Sequence, residues 1–367
     1  MEKKIVLGSL FGDEGKGTVV QWLCKEAIAD NKKCVVVRFC GGPQAGHTVT
    51  HNGITHEFSS FGSGTLLGVP TYIAENVLVD PICLCKEWDV LLDKGIEPEF
   101  RISALCRIIT PYDVIHARED KKTLQDGTTG HGVYAAVIRN EDFPTYFFDR
   151  NPEDMLKNSR EYYGLEKDEE LEELFISCYN RIKDFYYTKM CSSDVLIYEG
   201  TQGLLLDAER GFYPNVTATE VGLNALDEET LKDAEVYFVT RTYLTRHGNG
   251  HDPQYFDCFD REESNKTNEF QGKFKIGAME FSLLNQAFER HCIDNYITKY
   301  NIKPNLVVTH LDLPENKAYY YYGKGGRLRY FLNPDKDSIM SLFVENVPIY
   351  LNKIFYSDNN LSDIKEW

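Results

Sequence analysis

The sequence predicts an α/β protein: a large, mostly parallel central sheet with helices on both faces and small antiparallel additions. Three observations carry this. An apolar strand, an amphipathic helix and a second apolar strand follow one another within residues 3–42, which is a βαβ unit and implies parallel pairing. Short apolar runs of strand length recur along the chain. Several of them end in glycine or polar residues, as strands do where an open α/β sheet gathers ligands at its carboxyl edge.

KKIVLGSLF (3–11) reads as a buried strand, KGTVVQWLCKEAIAD (16–30) as the helix after a glycine loop, and KKCVVVRFCGG (32–42) as the second strand. ENVLVD (75–80), SDVLIYEG (193–200), AEVYFVTRTYLTR (234–246) and PNLVVTHLD (304–312) are the further strands expected. Residues 151–189 are acidic and helical in pattern, and read as a solvated surface face. With no internal repeat and no low-complexity linker, residues 1–367 are expected to form one elaborate domain.

The 367 residues are 42% hydrophobic and 26% charged, with a formal net charge of −17. A field of that sign repels nucleic-acid backbones and anionic membranes, so neither partner is expected. A local basic pocket still leaves room for a small anionic substrate. No apolar stretch reaches the length of a membrane span, and the N-terminal apolar run is too short for a secretory signal. The ten cysteines show no paired CxxC spacing, so they read as reduced thiols of a cytoplasm-like compartment.

FGDEGKG (11–17) carries a puzzle. Three glycines and Lys16 suit phosphate, whereas Asp13 and Glu14 repel it. The usual P-loop spacing is absent, since Leu10 stands where glycine is needed and Gly17 follows the lysine where Ser or Thr is required. The choices are an ordinary glycine turn or a phosphate loop of another kind. In the second case Asp13 could share a Mg²⁺ with phosphate or act as general base toward a substrate. Glu14 reads as a partner of the helix dipole. A second glycine loop, RFCGGPQAGHTV (38–49), also follows a strand and brings His47 to the same sheet edge.

GDEGKG followed by GGPQAGHT strongly resembles adenylosuccinate synthetase. GTTGHG (127–132), YEGTQGLLLD (198–207), GFYPNVTATE (211–220), TRTYLTRHGNG (240–250) and VVTHLD (307–312) follow in that family's order. The resemblance implies a GTP-dependent ligase joining L-aspartate to a purine monophosphate through a 6-phosphoryl intermediate. It implies Asp13 as the base at purine N1, His47 as the acid at the phosphoryl group and Lys16 on the phosphates. Gly12, Gly15, Gly17 and Thr18 would line the GTP phosphates, and Asp312 would read guanine. Gln44, Thr128, Thr129, Gln202 and Thr217 would join Asp13 around the purine monophosphate. Mg²⁺ would take Asp13 and the Gly46 carbonyl. A cytoplasmic homodimer is also implied (host cytoplasm if the protein is viral).

The chain departs from the family at Gln44, where asparagine is usual, at His131 beside the phosphate motif, and at His310, which replaces a lysine. The basic segment that reaches into the neighbouring subunit is unmatched, with Arg139 as its nearest candidate. The aspartate loop reads TNEFQGKFKIGAMEF (267–281) in place of an arginine run, so Lys273 and Lys275 are the expected aspartate ligands. Of the tail, only VPIYL (347–351) reads as a familiar strand. These features resemble the phage branch of the family, which makes the 2-amino analogue from dGMP, although that branch typically has serine at the position of Asp13. The reading leans to (d)GMP, with IMP as the alternative and a non-catalytic nucleotide-binding homologue as a further one.

Overall fold

Alternate residues of the central strands are apolar on both faces, so the strands can only be stable inside a sandwich of helices. The computed structural model describes residues 1–149, 151–187, 193–255, 270, 272–312, 318–358 and 363–367. Ten strands form the main sheet: β1 (Glu2–Gly8), β2 (Cys34–Arg38), β5 (Thr71–Ile73), β7 (Phe100–Ser103), β9 (Tyr186–Tyr187), β10 (Val195–Gly203), β11 (Glu235–Arg241), β15 (Lys303–Thr309), β18 (Lys353–Tyr356) and β19 (Lys365–Glu366). Their order is β19-β18-β15-β11-β1-β10-β2-β5-β7-β9, and every pairing is parallel except β18 with β19. Small sheets are added by β3 (His47–His51) with β4 (Ile54–Phe58), β6 (Leu78–Val79) with β8 (Arg107–Ile108), β12 (Leu244–His247) with β13 (Phe274–Gly277), and β14 (Met279–Glu280) with β16 (Ala318–Tyr322) and β17 (Leu328–Leu332). Pairings β6–β8 and β14–β16 are parallel, the other small ones antiparallel.

The two faces follow the strand period of two. Val6, Val36, Ile197, Val239 and Val307 pack with Val19, Val20 and Leu23 of α1 (Lys16–Ala29). Ile5, Leu7, Val37, Leu196, Phe238 and Val308 pack on the other face with Leu284, Phe288, Ile293 and Phe343, from helices Phe281–Arg290, Ile293–Tyr300 and Lys336–Asn346. No helix among the described residues is long and apolar enough to cross a membrane, and the eight described cysteines are free thiols.

Two expectations need correction. Residues 152–163 and 169–182 are helical, but Met155, Leu156, Phe175, Tyr179 and Ile182 are buried against the sheet's β7 end, so this acidic stretch is amphipathic and not a wholly solvated face. VPIYL is not a strand. The helix ends at Asn346 and Tyr350 is exposed; Pro348 has no N–H to give a ladder. The strand comes immediately afterwards as β18, KIFY.

Candidate functional site

The carboxyl ends of β1, β2, β10, β11 and β15 lie side by side, and the quoted glycine loops extend from them. After β1 the chain turns through Gly12 and Gly15, with φ of 91° and 93°, before α1 begins at Lys16. Glu14 is folded back into this turn. Its Oε1 accepts from the backbone N–H of Leu10 (2.8 Å) and Gly12 (3.1 Å), and its Oε2 accepts from Lys16 Nζ (3.2 Å). Both side chains are almost fully buried. Gly8 makes room for this, because a Cβ there would lie 2.2 Å from Glu14 Oε2. Glu14 is therefore an internal anion that braces the loop's own amides and Lys16. A dipole interaction at the helix end understates that role.

Asp13 faces the other way. It is a partly exposed aspartate in the left-handed region, φ 58°. Arg241 Nε, at the end of β11, donates to its carbonyl. Thr245 Oγ1 donates to the Gly12 carbonyl at 3.0 Å, and His247 Nε2 lies 3.3 Å from Asp13 Oδ2. From β15, Thr309 Oγ1 donates to the Glu14 carbonyl at 2.9 Å.

The second loop brings His47 to the start of β3. Gly17 lets α1 approach it, since a Cβ there would sit 3.0 Å from His47 Cβ. His47 Nδ1 is 2.5 Å from Oε1 of Glu199, which is fully buried on β10. Ser63 supports the same carboxylate through its N–H (2.9 Å) and its hydroxyl. Burial pushes the Glu199 carboxyl up, but the hydrogen bond and charge of His47, with Arg38 and Ser63, outweigh it and hold the group at about 2. Burial lowers His47, and Glu199 opposes that only in part. Glu199 thus stays ionised and fixes which ring nitrogen faces it.

His47, the second glycine loop and β10 meet at Thr201. Its carbonyl is 3.4 Å from His47 Nε2, Cys40 Sγ is 3.4 Å from its hydroxyl, and that hydroxyl donates to Gln202 Oε1 at 2.7 Å. Gln44 keeps both amide atoms buried with no partner among the described residues. Gly46 is exposed and abuts Glu57, whose Oε1 would lie 2.0 Å from a Cβ at that position.

Around this centre, Thr128 Oγ1 accepts from the Gly130 N–H at 3.1 Å, and Thr128 and Thr129 are half-buried. His131 has a buried Nδ1 without a partner among the described residues, and burial lowers its pKa while Asp80 opposes. Asn249 Nδ2 reaches the Gln125 carbonyl at 3.2 Å, so the β12 loop touches the segment leading into this motif. Half-buried Thr217 donates its N–H to the Leu206 carbonyl at 2.7 Å. Thr18 is half-buried on the first turn of α1.

Three expected residues stand apart from the buried centre. Lys273 is exposed on the approach to β13. Lys275 is ion-paired with Asp252. Asp312 is exposed just past β15, its N–H on the Asp358 carbonyl at 2.7 Å. Residues 267–269 and Gln271 of the expected aspartate loop lie outside the described residues. His310 has φ 61° and is buried, its Nδ1 2.9 Å from Thr309 Oγ1.

Arg139 does not serve a neighbouring subunit's site. It is fully buried, with Nε 2.8 Å and Nη2 3.0 Å from the two oxygens of Asp113 and further bonds to Thr145, Phe143 and Ile108. A forked guanidinium committed to a buried carboxylate is an internal brace.

Comparison with known proteins decides the family. The adenylosuccinate synthetase family model matches residues 5–141 and 148–302. The chain belongs to the adenylosuccinate synthetase family. The Psychrobacter cryohalolentis synthetase is 34% identical over 286 residues, 69% of this chain and 65% of that protein, so the matched stretch spans just under two thirds of that relative. The Halobacterium salinarum synthetase is 27% identical over 330 residues, 77% of this chain and 73% of that one. Among solved structures, the fully ligated adenylosuccinate synthetase of Plasmodium falciparum superposes with a TM-score of 0.74 at 16% identity, covering 99% of both chains. The succinoaminodeoxyadenylate synthetase of cyanophage S-2L, bound to dGMP and to dATP as energy donor, superposes with a TM-score of 0.60 at 16% identity, covering 94% of this chain and 99% of that one. Both share the fold: a large, mostly parallel sheet enclosed by helices.

Proposed function

We propose that this chain is a GTP-dependent carbon–nitrogen ligase that joins L-aspartate to C6 of a purine monophosphate, with (d)GMP preferred. The observation that carries the reading is the convergence of Asp13, Lys16 and Glu199-backed His47 at one sheet edge. Asp13 takes the N1 proton of the purine, which turns a weakly nucleophilic lactam oxygen into an anion. That O6 attacks the γ-phosphate of GTP. His47 stands as acid at the phosphoryl group, its imidazolium supported by ionised Glu199 and by the phosphate charge of the bound nucleotide, and Lys16 offsets phosphate charge. The amine of aspartate then displaces phosphate at C6, leaving the succinyl product, GDP and phosphate. Gln44, Thr128, Thr129, Gln202 and Thr217 hold the purine monophosphate; Gly12, Gly15, Gly17, Thr18 and Asp312 hold GTP; Lys273 and Lys275 hold aspartate.

Asp13 and the Gly46 carbonyl offer a sparse set of oxygen donors, and no group of three His, Cys, Asp or Glu is gathered among the described residues. That set fits Mg²⁺, which keeps several waters and takes its remaining ligands from phosphates. When bound, Mg²⁺ would neutralise charge on the transferring phosphoryl group. We read the chain as a single-domain cytoplasmic enzyme that works as a homodimer.

The substrate lean rests on the resemblance to the phage branch of the aspartate loop, where Lys273 and Lys275 stand in place of an arginine run, and of the tail. One observation favours IMP instead: Asp13 is present, where the phage branch typically carries serine. The deciding experiment is a panel of IMP, dIMP, GMP and dGMP with aspartate, Mg²⁺ and GTP or ATP, read by the mass of the succinyl product. Product from dGMP or GMP at tenfold or higher kcat/KM over IMP supports the lean. The reverse ratio, about 1.4 kcal/mol of transition-state preference, makes the chain an ordinary adenylosuccinate synthetase. No product and no purine-dependent phosphate release would leave a nucleotide-binding homologue.

A further inference from the structure

Asp13 is held from one direction. The β11–β12 segment places Arg241 on the Asp13 carbonyl, Thr245 on the Gly12 carbonyl and His247 beside the Asp13 carboxylate. Thr245 and His247 are two residues apart on one strand and so share a face. The first two contacts fix only backbone. They hold an aspartate in the left-handed region, where a residue with a Cβ needs outside support. They leave the carboxylate free to rotate about its own side-chain bonds.

His247 is the remaining contact. It is mostly buried, and its Nε2 lies 3.3 Å from Oδ2. The ring is itself held in place, because Phe274 stands directly opposite in the β12–β13 pairing with ring centroids 4.7 Å apart. Nδ1 is buried and has no partner among the described residues, so the polar contact that orients the ring is the one to Asp13. A carboxylate that must take a proton needs one oxygen aimed at it, and fixing the other oxygen aims the first.

The geometry points to His247 as a positioning residue for the proposed base: it anchors Oδ2 of Asp13 and thereby directs Oδ1 at the purine edge. This rests on the ligase reading above. The same pairing gives β13 a second effect, because the strand that holds the His247 ring also carries Lys275. The base and the expected aspartate segment are thus joined through one two-stranded unit.

The test uses His247→Phe, which keeps a ring against Phe274 but has no nitrogen, and His247→Gln, whose amide can reach the position of Nε2. Steady-state constants for the best purine of the panel are measured beside the thermal midpoint. The expected result for Phe is a kcat lower by about tenfold to a hundredfold, the scale of a misaligned reacting group. KM for the purine and the midpoint should stay close to the parent's, and Gln should restore most of kcat. The proposal is overturned if Phe keeps kcat within twofold, if Gln falls as far as Phe, or if the loss follows a lowered midpoint in both variants. If the parent turns over none of the four purines, the ligase reading fails separately. Crystal structures of parent and His247→Phe then decide: a rotated Asp13 carboxylate supports the anchoring role, and an unmoved one refutes it.

Discussion

The two ends of the candidate site are built differently. At the β1–β10 end, Glu14, Lys16, His47 and Glu199 are all buried, and each has a named partner within hydrogen-bond reach. At the β13–β15 end, Lys273 and Asp312 are exposed, and Lys275 is tied to an exposed aspartate. The first end is organised before any ligand arrives, which suits groups that must meet a transition state. The second is solvated, so its charges gain most by ordering on a bound substrate. Substitutions at the first end should therefore lower kcat, and those at the second should raise KM.

The sharpest way to break the comparison is Asp13→Asn. The amide keeps the shape but takes no proton, so turnover should fall by about 10²–10⁴ while GTP binding persists. Initial rates beside nucleotide binding by calorimetry check this. A variant within a few-fold of the parent would remove Asp13 from the chemistry.

Glu199→Gln separates preorganisation from chemistry. It leaves the His47 Nδ1–H and the Ser63 donors without a carboxylate, which should cost about 1–3 kcal/mol of stability at pH 7, together with a fall in kcat. The sign of the pH dependence follows from a carboxyl held at about 2 against an ordinary 4.5. A depressed folded-state value contributes stability that is complete above 4.5 and is lost as pH falls from there through about 2. The gap between parent and variant in chemical denaturation should narrow as pH falls below 4.5. A gap that stays level or widens below 4.5 would mean Glu199 is not ionised in the folded protein.

Those two residues also mark how much the sequence reveals. Asp13 was legible because glycines on either side and a following helix announce a loop. Glu199 closes the apolar run VLIY, and an acid in that position can only be buried or strand-terminal. That was the available signal. His247 had none, since nothing in spacing pairs it with Asp13 until β11 lies beside β1. A helical arginine such as Arg139 reads the same from sequence whether it lies inside or out, and only the facing Asp113 decides it. The parallel sheet was legible because its strands are apolar on both faces, whereas VPIYL misled because four apolar residues of five outweighed its proline.

Asp312→Asn tests the guanine end. A carboxylate accepts two hydrogen bonds from guanine, and an amide can supply only one such acceptor with a mismatched donor. KM for GTP should rise by about tenfold, and xanthosine triphosphate, with a 2-oxo group, should improve relative to GTP. If the parent already uses ATP and GTP equally, Asp312 does not read the base.

The smallest expected effect separates the two lysines. Lys273 is exposed and has no ion-pair partner among the described residues, whereas Lys275 already neutralises Asp252. A lysine binds a carboxylate as a point charge without the fork of an arginine, and a solvated pair is worth about 0–1 kcal/mol. Lys273→Ala should therefore raise KM for aspartate only about threefold to fivefold and leave kcat unchanged. Lys275→Ala should do less, because its ammonium is already committed to Asp252 and offers the incoming aspartate little net charge. Raising the salt concentration should shrink both effects, since solvated charges are screened. A Lys275→Ala variant that loses kcat instead would show that this strand acts through His247 on the base, and would move β13 from the binding end of the site to the catalytic one.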